Sequence, residues 1–218
     1  MLTFADVGVT FGPDAACGKK RRTCGKVSLI PAFEIGVWNA WMFQGIFFLT
    51  MMVPDFLMGK EAKLSTKRMR QFVPFNKTEK ILAYSTHIII MPFVLVYSIF
   101  LPLKLGTVWL YVGLPILALS LVMYVVTIIN IANTPVDKPV TGGIYRVSRH
   151  PIYFSGFLLN LSIGIACASW VIMLCAILWI VFFHFVVPTE ERFLIEQYGD
   201  AYREYMNRSP RWLGLPKS

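Results

Sequence analysis

Two polar clusters stand out in an otherwise apolar chain, and their residue types can do chemistry. The first is the loop from Asn133 to Tyr153, which ends in Gly142-Gly143-Ile-Tyr145-Arg-Val-Ser-Arg149-His150-Pro151-Ile-Tyr153. Pro151 suits the first turn of a helix, where its missing N–H would lack a partner anyway. Arg149 and His150 then stand at a helix N-terminus, where free backbone N–H groups and the macrodipole favour an anion. A Gly-Gly pair lets backbone approach a ligand closely. Together these features can seat a carboxylate or a phosphate; they can equally anchor a helix end at headgroup level. The second cluster is Pro188-Thr189-Glu190-Glu191-Arg192, continuing to Tyr205. Thr189 is placed to cap a helix beginning at Glu190, with both acids in its first turn, where negative charge is favoured. Leu194, Tyr198, Tyr202 and Tyr205 recur at steps of three and four, which gives an amphipathic C-terminal helix with one aromatic face.

The elements that must position these clusters follow from composition and span length. The 218 residues are 56% hydrophobic and 15% charged, whereas soluble domains run near 45–50% and about 25%. The chain is also basic, with 21 Lys and Arg against 12 Asp and Glu. A nucleic-acid binder can be this basic but not this apolar, so the expectation is a membrane protein with its positive charge in the loops. A spanning helix needs roughly 20 apolar residues. The candidates are Ile35–Leu57, Ile81–Leu101, Val108–Ala132, a short Ile152–Ala168 and Val171–Val187. None alternates with period two. The fold class is therefore all-α: a polytopic bundle of about five transmembrane helices, closed by a tight C-terminal hairpin. Residues 1–34 read as a basic tail, 35–132 as three transmembrane helices, and 133–218 as the catalytic region.

Seven cations lie between Lys60 and Lys80, three between Lys138 and Arg149, and five from Arg192 onward, so 15 of the 21 fall on one face. The positive-inside rule puts that face, the C-terminus and both polar clusters in the cytoplasm. It puts the N-terminal tail, with Lys19–Arg22, on the opposite side. No cleavable signal peptide is visible. Cys17 and Cys24 in the tail read as unpaired thiols or, outside the cytoplasm, as a disulfide. His87, His150 and His184 match no common ligand spacing, so no metal site is expected. His184, deep in the fifth span, reads as a hydrogen-bonded interhelical histidine. Because the last two spans form a hairpin, its start at Arg149-His150 and its finish at Glu190-Glu191 must be neighbours at one membrane face. The result is a cleft of mixed charge beneath an aromatic lid.

These residues are recognisable. Gly142 to Tyr153, followed by Glu190-Glu191-x-x-Leu194, Tyr198-Gly199 and Tyr202-x-x-Tyr205, resembles the two-part signature of the integral-membrane methyltransferases related to isoprenylcysteine carboxyl methyltransferase and phospholipid methyltransferases. The family usually has Phe-Gly where this chain has Tyr198-Gly199. The resemblance covers roughly Asn133 to Pro216. It implies S-adenosylmethionine as methyl donor, bound between the hairpin and the C-terminal helix without a Rossmann domain, and no Gly-x-Gly-x-x-Gly follows a strand here. By motif position, Gly142, Gly143, Tyr145, His150, Pro151, Tyr153, Glu190, Glu191 and Tyr202 bind the cofactor. Arg149 and Glu191 are the candidate catalytic residues, with Arg149 orienting the acceptor or the cofactor carboxylate. Glu190 or Glu191 holds the methionyl amino group or the ribose hydroxyls. Tyr153 or Tyr202 near the sulfonium would add cation–π stabilisation on the order of 1 kcal/mol. The implied partners are membrane lipids and a lipophilic small-molecule acceptor: a prenylcysteine carboxylate, a phospholipid amine or a thiol.

Two other readings compete. Sterol-type membrane reductases share a similar Arg-His-x-x-Tyr stretch and use NADPH, but they lack the Glu-Glu half. A non-enzymatic protein binding anionic headgroups would use the seven cations from Lys60 to Lys80, and leaves the paired motifs unexplained.

Overall fold

The computed structural model describes residues 35–57, 59–67 and 75–216. The basic tail with Cys17, Cys24 and Lys19–Arg22 lies outside the described residues, as do Arg68, Arg70 and Lys217. Among the described residues the molecule is helical, without a strand. In chain order come α1 (Trp41–Leu57), the short α2 (Lys60–Lys67), α3 (Lys77–Ile99) and α4 (Val108–Ala132). They are followed by α5 (Pro151–Ala166), α6 (Trp170–Tyr198) and α7 (Asp200–Arg208). Three of these, α3, α4 and α6, are long and apolar enough to cross a membrane. The apolar stretches Trp41–Met52 in α1 and Pro151–Ala166 in α5 are shorter.

The first helix starts six residues later than its apolar run. Residues 35–40 lie beside the loop after α3: the Leu103 N–H donates to Trp38 O at 3.0 Å and the Ala40 N–H to Leu101 O at 2.9 Å. The Asn39 side chain donates to Ile99 O at 2.7 Å. Those bonds give the segment backbone partners that a helix would otherwise supply.

Packing explains which helices are short. In α4 the buried residues Gly113, Leu117, Ser120, Tyr124, Thr127 and Ile131 recur every three or four positions. Within this seam Gly113, Ser120 and Thr127 are small, the pattern that lets helix backbones approach in lipid. The seam faces α5, where Ser120 Oγ donates to Ser155 O at 2.8 Å. Leu114, Leu119, Val122 and Ile129 point outward. Most of α5 is buried, including Ser155, Gly156, Asn160 and Ser162, so its neighbours rather than lipid cover its 16 residues. Cys167 and Cys175 in the hairpin are free and buried.

An Asn76–Glu79 capping box starts α3, each side chain accepting the other residue's backbone N–H at 2.9 Å. Midway, Thr86–Ile90 widens into a π-turn, and the Met91 N–H reaches back to Thr86 O. Pro92 accounts for the widening: it has no N–H for Ile88 O, and its ring crowds that carbonyl.

The largest departure from the sequence reading is at Pro188. The pattern predicts a helix end there and a new helix capped by Thr189, yet α6 runs unbroken through Glu190 and Glu191 to Tyr198. Pro188 removes one intrahelical bond, which a long packed helix tolerates. Thr189 does not act as a cap; its hydroxyl accepts from Arg192 Nη2 at 2.8 Å. The chain turns instead at Gly199, whose φ of 59° is left-handed. The expected aromatic helix is therefore divided, with Leu194 and Tyr198 on α6 and Tyr202 and Tyr205 on α7.

Candidate functional site

The hairpin brings its two ends together at one pole of the bundle. His150 is the residue before α5, with Pro151 in the first turn as expected, and Glu190 and Glu191 lie on α6 directly across from it. Glu191 is 3% exposed and accepts from three side chains. Arg149 Nη2 reaches its Oε1 at 2.9 Å and Arg211 Nη2 its Oε2 at 2.7 Å. His150 Nε2 lies 3.3 Å from Oε1. A buried carboxylate needs this degree of pairing to offset its desolvation.

The same cluster ties down the C-terminal segment. Arg149 Nη1 donates to Met206 O at 2.9 Å, and the Arg149 N–H donates to Pro210 O at 3.0 Å. The Gly214 N–H closes on Val147 O at 3.0 Å. Trp212 lies near the His150 ring, with centroids 6.3 Å apart, and its Nε1 donates to His184 Nδ1 at 3.4 Å. His184 thus pairs with the C-terminal segment, not with another helix of the bundle as the sequence reading expected.

Glu190, one residue earlier, faces elsewhere. Its carboxylate accepts a short hydrogen bond from the Tyr153 hydroxyl, and His150 Nδ1 lies 3.7 Å from its Oε2. The Tyr153 ring stacks on Phe183 at 4.0 Å, and the Trp179 indole donates to Tyr153 O at 3.0 Å. Glu190 and Tyr153 help to line a cavity of about 350 Å³, within the ~300–1,000 Å³ range of small-molecule sites. Tyr145, Arg149, His150, Pro151 and Tyr202 complete the sequence-predicted part of its wall, and Leu194, Tyr198 and Tyr205 of the aromatic stripe also line it. Tyr205 donates to Tyr145 O at 2.7 Å. Burial pushes the Tyr202 and Tyr205 hydroxyls above the usual phenol range, so both stay protonated donors at neutral pH.

Three predicted residues stand outside this wall: Gly142, Gly143 and Glu191. Gly143 serves the loop. Its φ is 57°, and a Cβ there would lie 2.4–2.7 Å from the Asn130 side chain. Glu191 sits behind the wall and holds Arg149 and His150 in place. Sequence reasoning missed Arg211 and Trp212, which carried no signal beyond charge and aromaticity. It weighed His87 only as a metal ligand, on a spacing that fits none, yet His87 lines the cavity from α3.

Comparison with known proteins agrees with the geometry. The family model described as phospholipid methyltransferase matches residues 108–201. A protein-S-isoprenylcysteine O-methyltransferase of Dictyostelium discoideum is 33% identical over 88 residues, covering 35% of this chain and 32% of that protein. A protein of the same description from Schizosaccharomyces pombe is 34% identical over 79 residues, with the same coverage of each chain. The chain thus spans about a third of the length of the curated relatives it matches. The matched region holds α4, the α5–α6 hairpin and the site residues Arg149, His150, Glu190 and Glu191, and over that region the chain is similar to phospholipid methyltransferases and to isoprenylcysteine O-methyltransferases.

Proposed function

We propose that the protein is a membrane-embedded methyltransferase that uses S-adenosylmethionine to methylate a lipophilic acceptor at the cytoplasmic face. The observation that carries this reading is the cavity between the hairpin and α7, with a carboxylate and a buried cation edge among tyrosines. Arg149 Nε is buried without a hydrogen-bond partner among the described residues, a donor suited to a ligand carboxylate. The Glu190 carboxylate lies in the wall and suits an ammonium or ribose hydroxyls. The residues therefore fit the methyl donor, whose sulfonium supplies an electrophilic methyl group when bound. Tyr153 and Tyr202 offer aromatic faces to that positive charge. Glu191, with Arg211, fixes the guanidinium of Arg149 so that its remaining N–H points at the ligand; its role is positioning. The chain's contribution to rate is alignment of the reacting groups in a site shielded from water.

The cytoplasmic placement rests on the cation distribution. An acceptor entering sideways from the bilayer suits a cavity at the end of a helical hairpin, and the isoprenyl group in the relatives' names fits the apolar chain of such an acceptor. The test is titration of the purified full-length chain in nanodiscs with S-adenosylmethionine. Saturable binding with a Kd in the micromolar range, about −8 kcal/mol, is expected. Absence of saturable binding, or competition by NADPH, overturns the proposal.

A further inference from the structure

Below the donor cavity lies a second one of about 190 Å³, and its wall is far more apolar. Phe47, Val94, Leu159 and Phe183 contribute to it from α1, α3, α5 and α6. His87, Ile152 and Tyr153 line both cavities. Of these three, His87 alone carries a titratable nitrogen available to a ligand, since the Tyr153 hydroxyl is held by Glu190.

His87 is presented in a defined way. It sits in the π-turn that Pro92 forces on α3, and π-turns inside helices frequently mark functional positions. Its Nδ1 lies 2.9 Å from Ala83 O. A carbonyl oxygen only accepts, so Nδ1 carries the hydrogen, and in the neutral ring Nε2 is then the nitrogen with the lone pair. Among the described residues Nε2 has no hydrogen-bond partner. The ring is held edge-on to Phe183 at 6.0 Å and near Trp179 at 6.3 Å. An ionisable side chain exposed in mid-span is costly unless it has work to do.

We propose that His87 is a catalytic proton acceptor, and that the acceptor substrate is a lipid whose nucleophilic atom must lose a proton, an amine or a thiol on an apolar chain. This inference rests on the methyl-transfer reading. The apolar chain occupies the lower cavity and the nucleophile meets His87 at the shared wall. His87 Nε2 takes the proton from N–H or S–H, and the electron pair of that bond stays on the nucleophile. The nucleophile forms its new bond to the methyl carbon, and the pair of the broken carbon–sulfur bond remains on the donor sulfur. A neutral acceptor and a sulfonium thus become a methylated acceptor, a thioether and a protonated His87. A carboxylate acceptor has no proton to give. At this wall it would also face Glu190, while the nearby guanidiniums of Arg149 and Arg211 close on Glu191.

Two measurements test this. The first needs no turnover: nitrogen NMR of the full chain with labelled histidine in nanodiscs, with the His87 signal assigned by its loss in His87→Asn. The expected result is an unprotonated Nε2 whose resonance moves with dodecylamine or dodecanethiol and not with dodecanoate. A protonated Nε2, or no selective response, overturns the inference whether or not the protein binds S-adenosylmethionine. The second is methyl transfer to the same three probes. The wild type should methylate the amine or the thiol, and which of them distinguishes an amine-bearing lipid from a lipid thiol. His87→Asn should lower that turnover on the order of 100-fold, the scale of general-base catalysis, with an unchanged unfolding temperature in detergent as the check on folding. Turnover of the carboxylate probe alone, or wild-type turnover in His87→Asn, overturns the inference and leaves methyl transfer standing. Loss of donor binding in the wild type refutes methyl transfer itself.

Discussion

Glu190 and Glu191 are chain neighbours on one turn of α6, yet they serve two different regions. Glu191 points behind the cavity, into Arg149, Arg211 and His150, and fastens the C-terminal segment to the loop before α5. Glu190 points into the cavity, with Tyr153 as its hydrogen-bonding partner. Successive helical residues differ by about 100° in direction, so a pair of acids on one turn can supply a latch on one side and a binding group on the other. The two regions also differ in what neutralises them. The latch draws its counter-charges from the chain, whereas the cavity keeps one carboxylate free of any arginine among the described residues.

Four substitutions test this division of labour. Glu191→Ala should have the largest effect, because it leaves the buried guanidinium of Arg149 and the half-buried one of Arg211 without their anion, at a cost of about 3–5 kcal/mol. Thermal unfolding in detergent and hydrogen exchange over residues 209–216 would register it, and unchanged stability would dissolve the latch. Glu190→Gln should leave the unfolding temperature alone and weaken S-adenosylmethionine binding by about tenfold or more, the ~1.5–3 kcal/mol of a charge-assisted hydrogen bond. Equal affinity by calorimetry would remove Glu190 from the site. Tyr205→Phe deletes the bond to Tyr145 O at the cavity rim and should cost about 1 kcal/mol of stability, seen as a small drop in unfolding temperature. Arg192→Ala is the low end of the series. Its ion pair with Glu79 measures 2.9 Å but Arg192 is 65% exposed, so the change should fall within about 0–1 kcal/mol; a larger effect would make the α3–α6 contact a third structural region.

Much of the architecture is legible in apolar run length. The limits of α4, Val108 and Ala132, coincide with those of its run, because polar loops flank it on both sides. Run length misplaces α1, since residues 35–40 are apolar yet find backbone partners in the loop after α3. It also misplaces the end of α6, because a proline's helix-breaking tendency is outweighed by continuous packing across Pro188. The juxtaposition of Arg149-His150 with Glu190-Glu191 is legible too, since a hairpin must return to the face it left.

The all-helical class, the hairpin, and the polar residues that meet at its open end are therefore legible without coordinates. Those follow from hydropathy and chain connectivity, which are local or topological properties. The tertiary structure alone decided which way each glutamate faces, that Arg211 and Trp212 fold back from the C-terminus, and that His87 reaches the wall between two cavities. These depend on helix rotation and on contacts between residues far apart in the chain. A run of apolar residues specifies that a helix forms; only packing against its neighbours specifies which side of it turns inward.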